Sequence, residues 1–350
     1  MATYYIDPSG SDGGAGTEGD PWQHIYYALD NTSDGDTIIC KDGTYDETTN
    51  YRTITTSRTI KAENRFGVTV ILSGNNTSPP YSHWGLNGAG KILTVEGCII
   101  NLVTLPVGRA GIGSDNGTVV CKYDYFYGDK GEAGAVYARD GDARAYKCTF
   151  RNLKYGLYRY TGTLYAQDNI IEGCTYGIKF VSGNAVTESY NNFYNNGTDI
   201  EGLSIDATDI TTDPKFINDY DHAEGYIISL FSDCIDGGIV VSGYIETYED
   251  TAPDMGCQEQ APAYYKISGS VTLAGVGVEG AVIRIILQDD NSYFDETTTD
   301  GDGNYLIQSS LLDPNKKYHV ITEYKDPVSG SGGTKYQAMS YWDIVPIEVV

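Results

Sequence analysis

The chain has 350 residues, of which 48 are acidic and 23 basic, a formal charge of −25. That balance argues against nucleic acid as a partner, because binding it needs a basic footprint to displace counterions, and against an anionic membrane surface. No apolar run reaches the ~18 residues of a spanning helix, and 42 Gly with 31 Tyr indicate an all-β chain with many tight turns.

Taken in order, Tyr4–Ile6 reads as a strand and Asp7–Gly19 as a Gly-rich loop. Pro21 to Leu29 reads as a short helix, with Asp20 as N-cap and Pro21 at the first helical position. Its apolar residues Trp22, Ile25, Tyr26 and Leu29 share a face, which suits a cap over the open end of stacked strands. Gly35-Asp-Thr-Ile-Ile39 then enters a strand, and Ser57–Asn64 and Val68–Gly74 are further strands. Asn75–Asn87, with Pro79-Pro80 and His83-Trp84, reads as a loop on the side of the molecule. Met1 leads straight into the first strand with neither a basic segment nor an apolar leader, so no export signal is expected.

From Gly134 to Asp199 one unit repeats three times. Cys148-Thr-Phe150, Asn169-Ile-Ile171 and Asn191-Asn-Phe193 superpose at spacings of 21 and 22 residues, and Cys98-Ile-Ile100 and Cys121-Lys-Tyr123 fit the same column more loosely. A period of roughly 20–30 residues built from short strands marks a β-solenoid, here of roughly eight coils. Alternation along each strand predicts an internal ladder of Cys98, Cys121, Cys148, Asn169 and Asn191, beside an apolar ladder of Ile100, Tyr123, Phe150, Ile171 and Phe193. Buried amides suit such a ladder because each bonds the next. The seven cysteines, an odd number partly at coil spacing, read as buried thiols rather than a disulfide framework.

Outward positions place Lys147, Asp168 and Tyr190 in one column and Arg151, Glu172 and Tyr194 in another, where simple surface ion pairs are expected. Asp140, Asp142, Lys154 and Arg159 hold the ingredients of a carbohydrate-cleaving site, although Asp140-Gly-Asp142 is equally the chemistry of a tight turn. Tyr155, Tyr158, Tyr160, Tyr165, Tyr190 and Tyr194 are candidate glycan or partner contacts, since Tyr joins a flat apolar face to a polar tip. Near residue 261 the pattern changes to strands separated by turns, so the chain divides into 1–260 and 261–350. In the second part Asp300-Gly-Asp302-Gly-Asn304 opens like a calcium loop, but the twelfth position is Leu311 where a bidentate Glu is needed. No cofactor is expected other than calcium. The C-terminal Tyr341-Trp342 tail is expected to pack on something.

Ser9-Gly-Ser-Asp12, Gly16-Thr17, Pro21-Trp22, Gly35-Asp-Thr-Ile38 and Gly43-Thr-Tyr45 resemble the opening of right-handed parallel β-helix proteins of the pectate-lyase-like superfamily. Asp213-Pro-Lys-Phe216, Ser232 to Gly237 and Asp254-Met-Gly256 resemble its far end. Tyr265 to Val271, Val276 to Ala281 and Thr299 to Tyr305 resemble a carboxypeptidase regulatory-like, prealbumin-type (Ig-like) β-sandwich, which in that family is an accessory module. The resemblance implies a fold more than an activity, because the superfamily includes lyases, hydrolases and inert virion parts. Together with the missing leader it implies a structural or adhesive virion surface protein of the tail-spike, fibre or capsid-decoration kind, self-associating as a trimer and holding host glycans. The alternatives are a polysaccharide lyase or glycoside hydrolase acting on the solenoid side, and a secreted adhesin. Either setting is a virion surface or the extracellular space.

Overall fold

In a computed structural model the chain forms two compact units, Met1–Gln260 and Ala261–Val350. The described residues are 1–47, 51–72, 82–103, 110–129, 134–182, 186–221, 224–229, 232–245, 248 and 252–259 of the first unit. In the second they are 265–273, 276–277, 279–287, 293–309, 318–324, 336–338, 343–344 and 347–348. Pro79-Pro80 of the expected loop and the Tyr341-Trp342 tail lie outside them.

The first unit is a parallel β-solenoid of about six turns. Its strands are β1 (Thr3–Ile6), β2 (Asp36–Cys40), β3 (Gly43–Asp46), β4 (Arg52–Ile54), β5 (Arg58–Ala62), β6 (Val68–Ile71) and β7 (Ser82–Glu96). Then follow β8 (Ile99–Asn101), β9 (Ala110–Lys122), β10 (Tyr125–Tyr127), β11 (Gly134–Ala138), β12 (Asp142–Tyr146) and β13 (Thr149–Arg151). The last coils hold β14 (Tyr155–Arg159), β15 (Thr163–Gln167), β16 (Ile170–Glu172), β17 (Tyr176–Phe180), β18 (Val186–Ser189), β19 (Asn192–Tyr194) and β20 (Thr198–Ile200). One sheet runs β1-β2-β5-β7-β9-β11-β14-β17-β20, with β12, β15, β18 and β4 attached, and another runs β19-β16-β13-β10-β8-β6-β3. Between the sheets lies one core in which Ile100, Phe126, Phe150, Ile171 and Phe193 follow each other from coil to coil.

The ladder differs from the sequence expectation at one rung. Register aligns Ile99, Tyr125, Thr149, Ile170 and Asn192, so the repeat is 26 residues between β8 and β10 but 21 between β13 and β16. Asp124, not Cys121, therefore stands between Cys98 and Cys148, and Phe126 replaces Tyr123 in the apolar column. Cys121 belongs to the other sheet, opposite Val95 and Ala145. Tyr123 turns the corner with φ 58°, as do Gly97, Lys147, Asp168 and Tyr190 in their own coils. Left-handed backbone suits the glycine without strain; the four larger residues must be held there by their surroundings. After Lys147 and Asp168 the ladder supplies that hold. Asp124 Oδ1 accepts the Cys98 N–H at 2.8 Å, Asn169 Oδ1 that of Cys148 at 2.9 Å, and Asn191 Oδ1 that of Asn169 at 3.1 Å.

Three further expectations are corrected. The solenoid has about six coils rather than eight, because residues beyond β20 form a strap instead of rungs. The helix, α1 (Ile25–Asn31), starts at N-cap His24, not at Asp20, and Trp22 instead bridges Ile6. Asp12 Oδ1 accepts the N–H groups of Gln23 and His24, while Asp20 closes the Gly-rich loop through the Ala15 N–H. Ser82–Asn87 continue into a strand in which His83 and Trp84 are buried. All seven cysteines are buried free thiols.

Glu47 makes a testable case of burial. It is wholly buried and its Oε1 accepts the Ile25 N–H at the start of α1 at 2.9 Å. Burial outweighs those bonds and pushes the carboxyl up to about 7. A folded value above the ordinary one means that the stabilisation is complete below about pH 4.5 and is lost as pH rises towards 7. Glu47→Gln should therefore melt higher than the parent chain at pH 8 and match it at pH 4. Equal melting differences at the two pH values would contradict a buried, proton-holding Glu47.

The second unit contains antiparallel sheets. Tyr265–Ser270 pairs with Asn304–Ser309 and Ile347–Glu348, and Val282–Leu287 pairs with Tyr293–Thr298 and Tyr318–Tyr324.

Candidate functional site

The second sheet of the solenoid does not face solvent along β10, β13 and β16. After β20 the chain turns back along it as a strap. Ile210 inserts beside β19, exchanging backbone hydrogen bonds with Asn191 and Phe193 at 2.9 Å. The Tyr125 hydroxyl donates to Tyr220 O, and Thr149 Oγ1 accepts the Cys257 N–H at 3.0 Å. Arg151 pairs with Glu172 at 2.9 Å, stacks 3.8 Å from the Phe216 ring and donates to Asn218 O.

The expected exposed pair Lys147 and Asp168 is sealed beneath this strap, with both residues wholly buried. Lys147 forms an ion pair with Glu259, and Asp168 Oδ1 accepts the Ile239 N–H at 2.9 Å. Burial brings Lys147 down to about 8, against the pull of Asp254 and Asp168, and pushes Asp168 up to about 7. Perturbed groups of this kind often mark catalysis. Here they fasten a segment of the chain's own fold and face no open surface.

The carbohydrate-cleaving candidates do not converge. Asp140 is 63% exposed and accepts the Thr161 hydroxyl at 2.6 Å, while Asp142 pairs with Arg144 at 3.3 Å. Lys154 lies over the Tyr155 ring at 5.4 Å. Arg159 is 1% exposed, aligned with Ala138 and Phe180, and donates to Ser182 O at 2.8 Å. Among the described residues no group of three or more His, Cys, Asp or Glu is arranged to hold a metal ion. At the Asp300 turn, Asp300 Oδ1 accepts the N–H groups of Asp302 and Asn304 at 3.0 and 2.8 Å, the bonding of a tight Asx turn.

The tyrosines separate into several groups. Tyr165 sits against Arg144 at 4.8 Å in the cluster that includes Tyr244 of the strap. Tyr190 packs on the Ile170, Ile228 and Met255 cluster, and Tyr194 ends β19 opposite Glu172. Tyr155 and Tyr158 are half-buried and Tyr160 is exposed, on or just past β14 of the first sheet.

There they join residues not singled out in the sequence: Tyr137, Tyr176 and Lys179. Register stacks Tyr137, Tyr158 and Lys179 in one column and Tyr155 and Tyr176 in the next. Ring centroids lie 5.3 Å apart for Tyr137–Tyr158, 5.0 Å for Tyr155–Tyr158 and 5.7 Å for Tyr155–Tyr176, all with nearly parallel planes. Lys179 Nζ lies 4.2 Å from the Tyr176 ring and 3.3 Å from Glu201. Just past β11, Arg139 stands 3.8 Å from both Asp115 and Asp140. Burial raises Tyr137, Tyr155 and Tyr158 above the ordinary phenol value, so each keeps its proton and stays a hydrogen-bond donor. Tyr160 is 44% exposed beside them. The 21-residue offset from Tyr137 to Tyr158 to Lys179 was the available sequence signal, hidden because the residue type changes along it.

No protein-family model and no curated protein matches the chain. Among solved structures it is similar to XylC in complex with xylose (13% identity, TM-score 0.41, covering 57% of this chain and 63% of that one). It is similar also to a mannuronic acid specific polysaccharide family 6 lyase from human gut microbiota (13%, 0.40, covering 59% and 52%). A third is pectate lyase Pel9A (12%, 0.32, covering 74% and 96%). The chain covers less than two thirds of the first of these, and none of the three assigns a role to any residue here; the architecture rests on the strand register itself.

Proposed function

We propose that this protein is a rigid, non-catalytic solenoid that binds carbohydrate on the outer face of β11, β14 and β17. The observation that carries this reading is the stack of Tyr137, Tyr158, Tyr155 and Tyr176, closed by Lys179, on the side the strap leaves uncovered. Tyr155, Tyr158 and Tyr176 are half-buried against the buried Tyr137, and such side chains give apolar contact and hydroxyl groups at little entropic cost, which suits sugar rings. A face preset by the backbone ladder needs no ordering on binding.

Incubation with a polysaccharide panel, read by calorimetry for binding and by reducing ends for cleavage, tests the reading. Binding without cleavage is expected. Tyr158→Ala, which removes the ring between Tyr137 and Tyr155, should weaken binding about three- to tenfold, the equivalent of ~0.5–1.5 kcal/mol for an aromatic contact. Cleavage, or no binding of any glycan, would overturn the proposal.

The setting we propose is a virion or other particle surface, of the fibre or decoration kind, with the antiparallel second unit as an accessory sandwich and a homotrimer as the assembly. The motif resemblance of residues 9–45 and 213–256 supports it. Detection of the chain in purified particles and sedimentation of the free protein are its tests.

A further inference from the structure

The stacked face has a direction and a charge, and both restrict the ligand. Its side chains belong to successive rungs, β11, β14 and β17, with Glu201 directly after β20. Rungs rise ~4.8 Å each, so β11 to β20 spans about 14 Å, or about three sugar rings end to end. The column of rings runs along the solenoid axis, so a ligand meeting all of it must lie along that axis too.

Two positive groups at this face have negative neighbours, while a third, Lys154, lies over the Tyr155 ring at 5.4 Å. Lys179 is paired with Glu201 at 3.3 Å, and Arg139 is shared between Asp115 and Asp140 at 3.8 Å. The whole chain carries −25. A polyanion approaching the face would meet repulsion at long range and offset cations at contact. Neutral hydroxyl groups meet neither obstacle, and the protonated phenols and the Lys179–Glu201 pair supply both donors and acceptors to them.

We infer that the face takes a neutral, unbranched glycan lying along the solenoid axis, at least about three rings long, and discriminates against polyuronates. The inference rests on the carbohydrate-binding reading above and gives it a ligand class.

Calorimetry of the full chain with a neutral, linear oligosaccharide series from one ring to six, and with polygalacturonate and alginate at low and high salt, tests it. Affinity for the neutral series should rise about tenfold or more, ~1.4 kcal/mol, up to about three rings and then level off. At low salt the uronates should bind at least about tenfold more weakly than the neutral chain. Glu201→Gln releases Lys179 from its partner and should raise the ratio of uronate to neutral affinity about threefold, within the ~0–1 kcal/mol of a surface pair. Tighter uronate binding by the parent chain, affinity independent of length, or no gain in Glu201→Gln would each overturn the ligand class while leaving carbohydrate binding intact. Silence towards every glycan would overturn the binding reading itself.

Discussion

Asn169→Ala should lower the unfolding free energy of the solenoid by about 3–5 kcal/mol, among the larger effects of a single substitution. Asn169 is wholly buried, and its amide works in two directions. Its oxygen accepts the Cys148 N–H, and its Nδ2 donates to Ala145 O at 3.0 Å and Asn191 Oδ1 at 2.9 Å. Alanine strands a backbone donor and a backbone acceptor inside the core, each costing ~1–3 kcal/mol. The same change frees the corner at Asp168, whose left-handed φ of 58° the ladder helps to hold. Urea unfolding followed by circular dichroism measures the loss; a change below about 1 kcal/mol would show that the ladder is not what closes the coil.

The ladder predicts the opposite sign at Asp124. Asp124 is wholly buried, and its Oδ1 accepts the Cys98 N–H at 2.8 Å. Burial pushes its carboxyl well above the usual carboxylate range. The folded chain thus keeps a proton that the unfolded chain releases, and the corresponding stability, complete below about pH 4, falls as pH rises. Asp124→Asn keeps the acceptor and removes the ionisation, so it should stabilise the protein at pH 7 and leave it unchanged at pH 4.

Lys147→Ala should detach the strap at a cost of about 3–5 kcal/mol, because removing one member of a buried ion pair leaves its partner charged and unmatched. Lys147 and Glu259 form that pair, and Asp168 and Asp254 are buried beside it. Limited proteolysis should cut the variant between residues 232 and 259, where the parent chain resists. Glu259→Ala alone should also loosen the strap. Lys147→Ala/Glu259→Ala should lose clearly less than the sum of the two single changes, since neither pair member is then left without the other. Additive losses, or an intact strap in the single variants, would show that apolar contacts such as Met255 and Ile228 against Ile170 hold it unaided.

The sequence by itself determined the repeat and therefore most of the interior. Side chains alternate along a strand and coils of near-equal length stack in phase, so Cys148, Asn169 and Asn191, and Phe150, Ile171 and Phe193, could be placed inward from spacing alone. Spacing failed where coil length changed. The 26-residue coil before β10 moved the ladder position from Cys121 to Asp124, a shift that local periodicity cannot register because the extra residues sit in the neighbouring strands.

Only the tertiary structure decided which outer faces meet water. Lys147, Arg151, Asp168 and Tyr190 have the polar character of a solvated face, yet a strap more than fifty positions away in sequence covers Lys147, Arg151 and Asp168, and Tyr190 packs against it. The same decision left Tyr155 and Tyr158 free and brought them beside Tyr137, Tyr176 and Lys179. Burial is set by what packs on a surface, and a strand carries no local record of the segment that will cover its outward side.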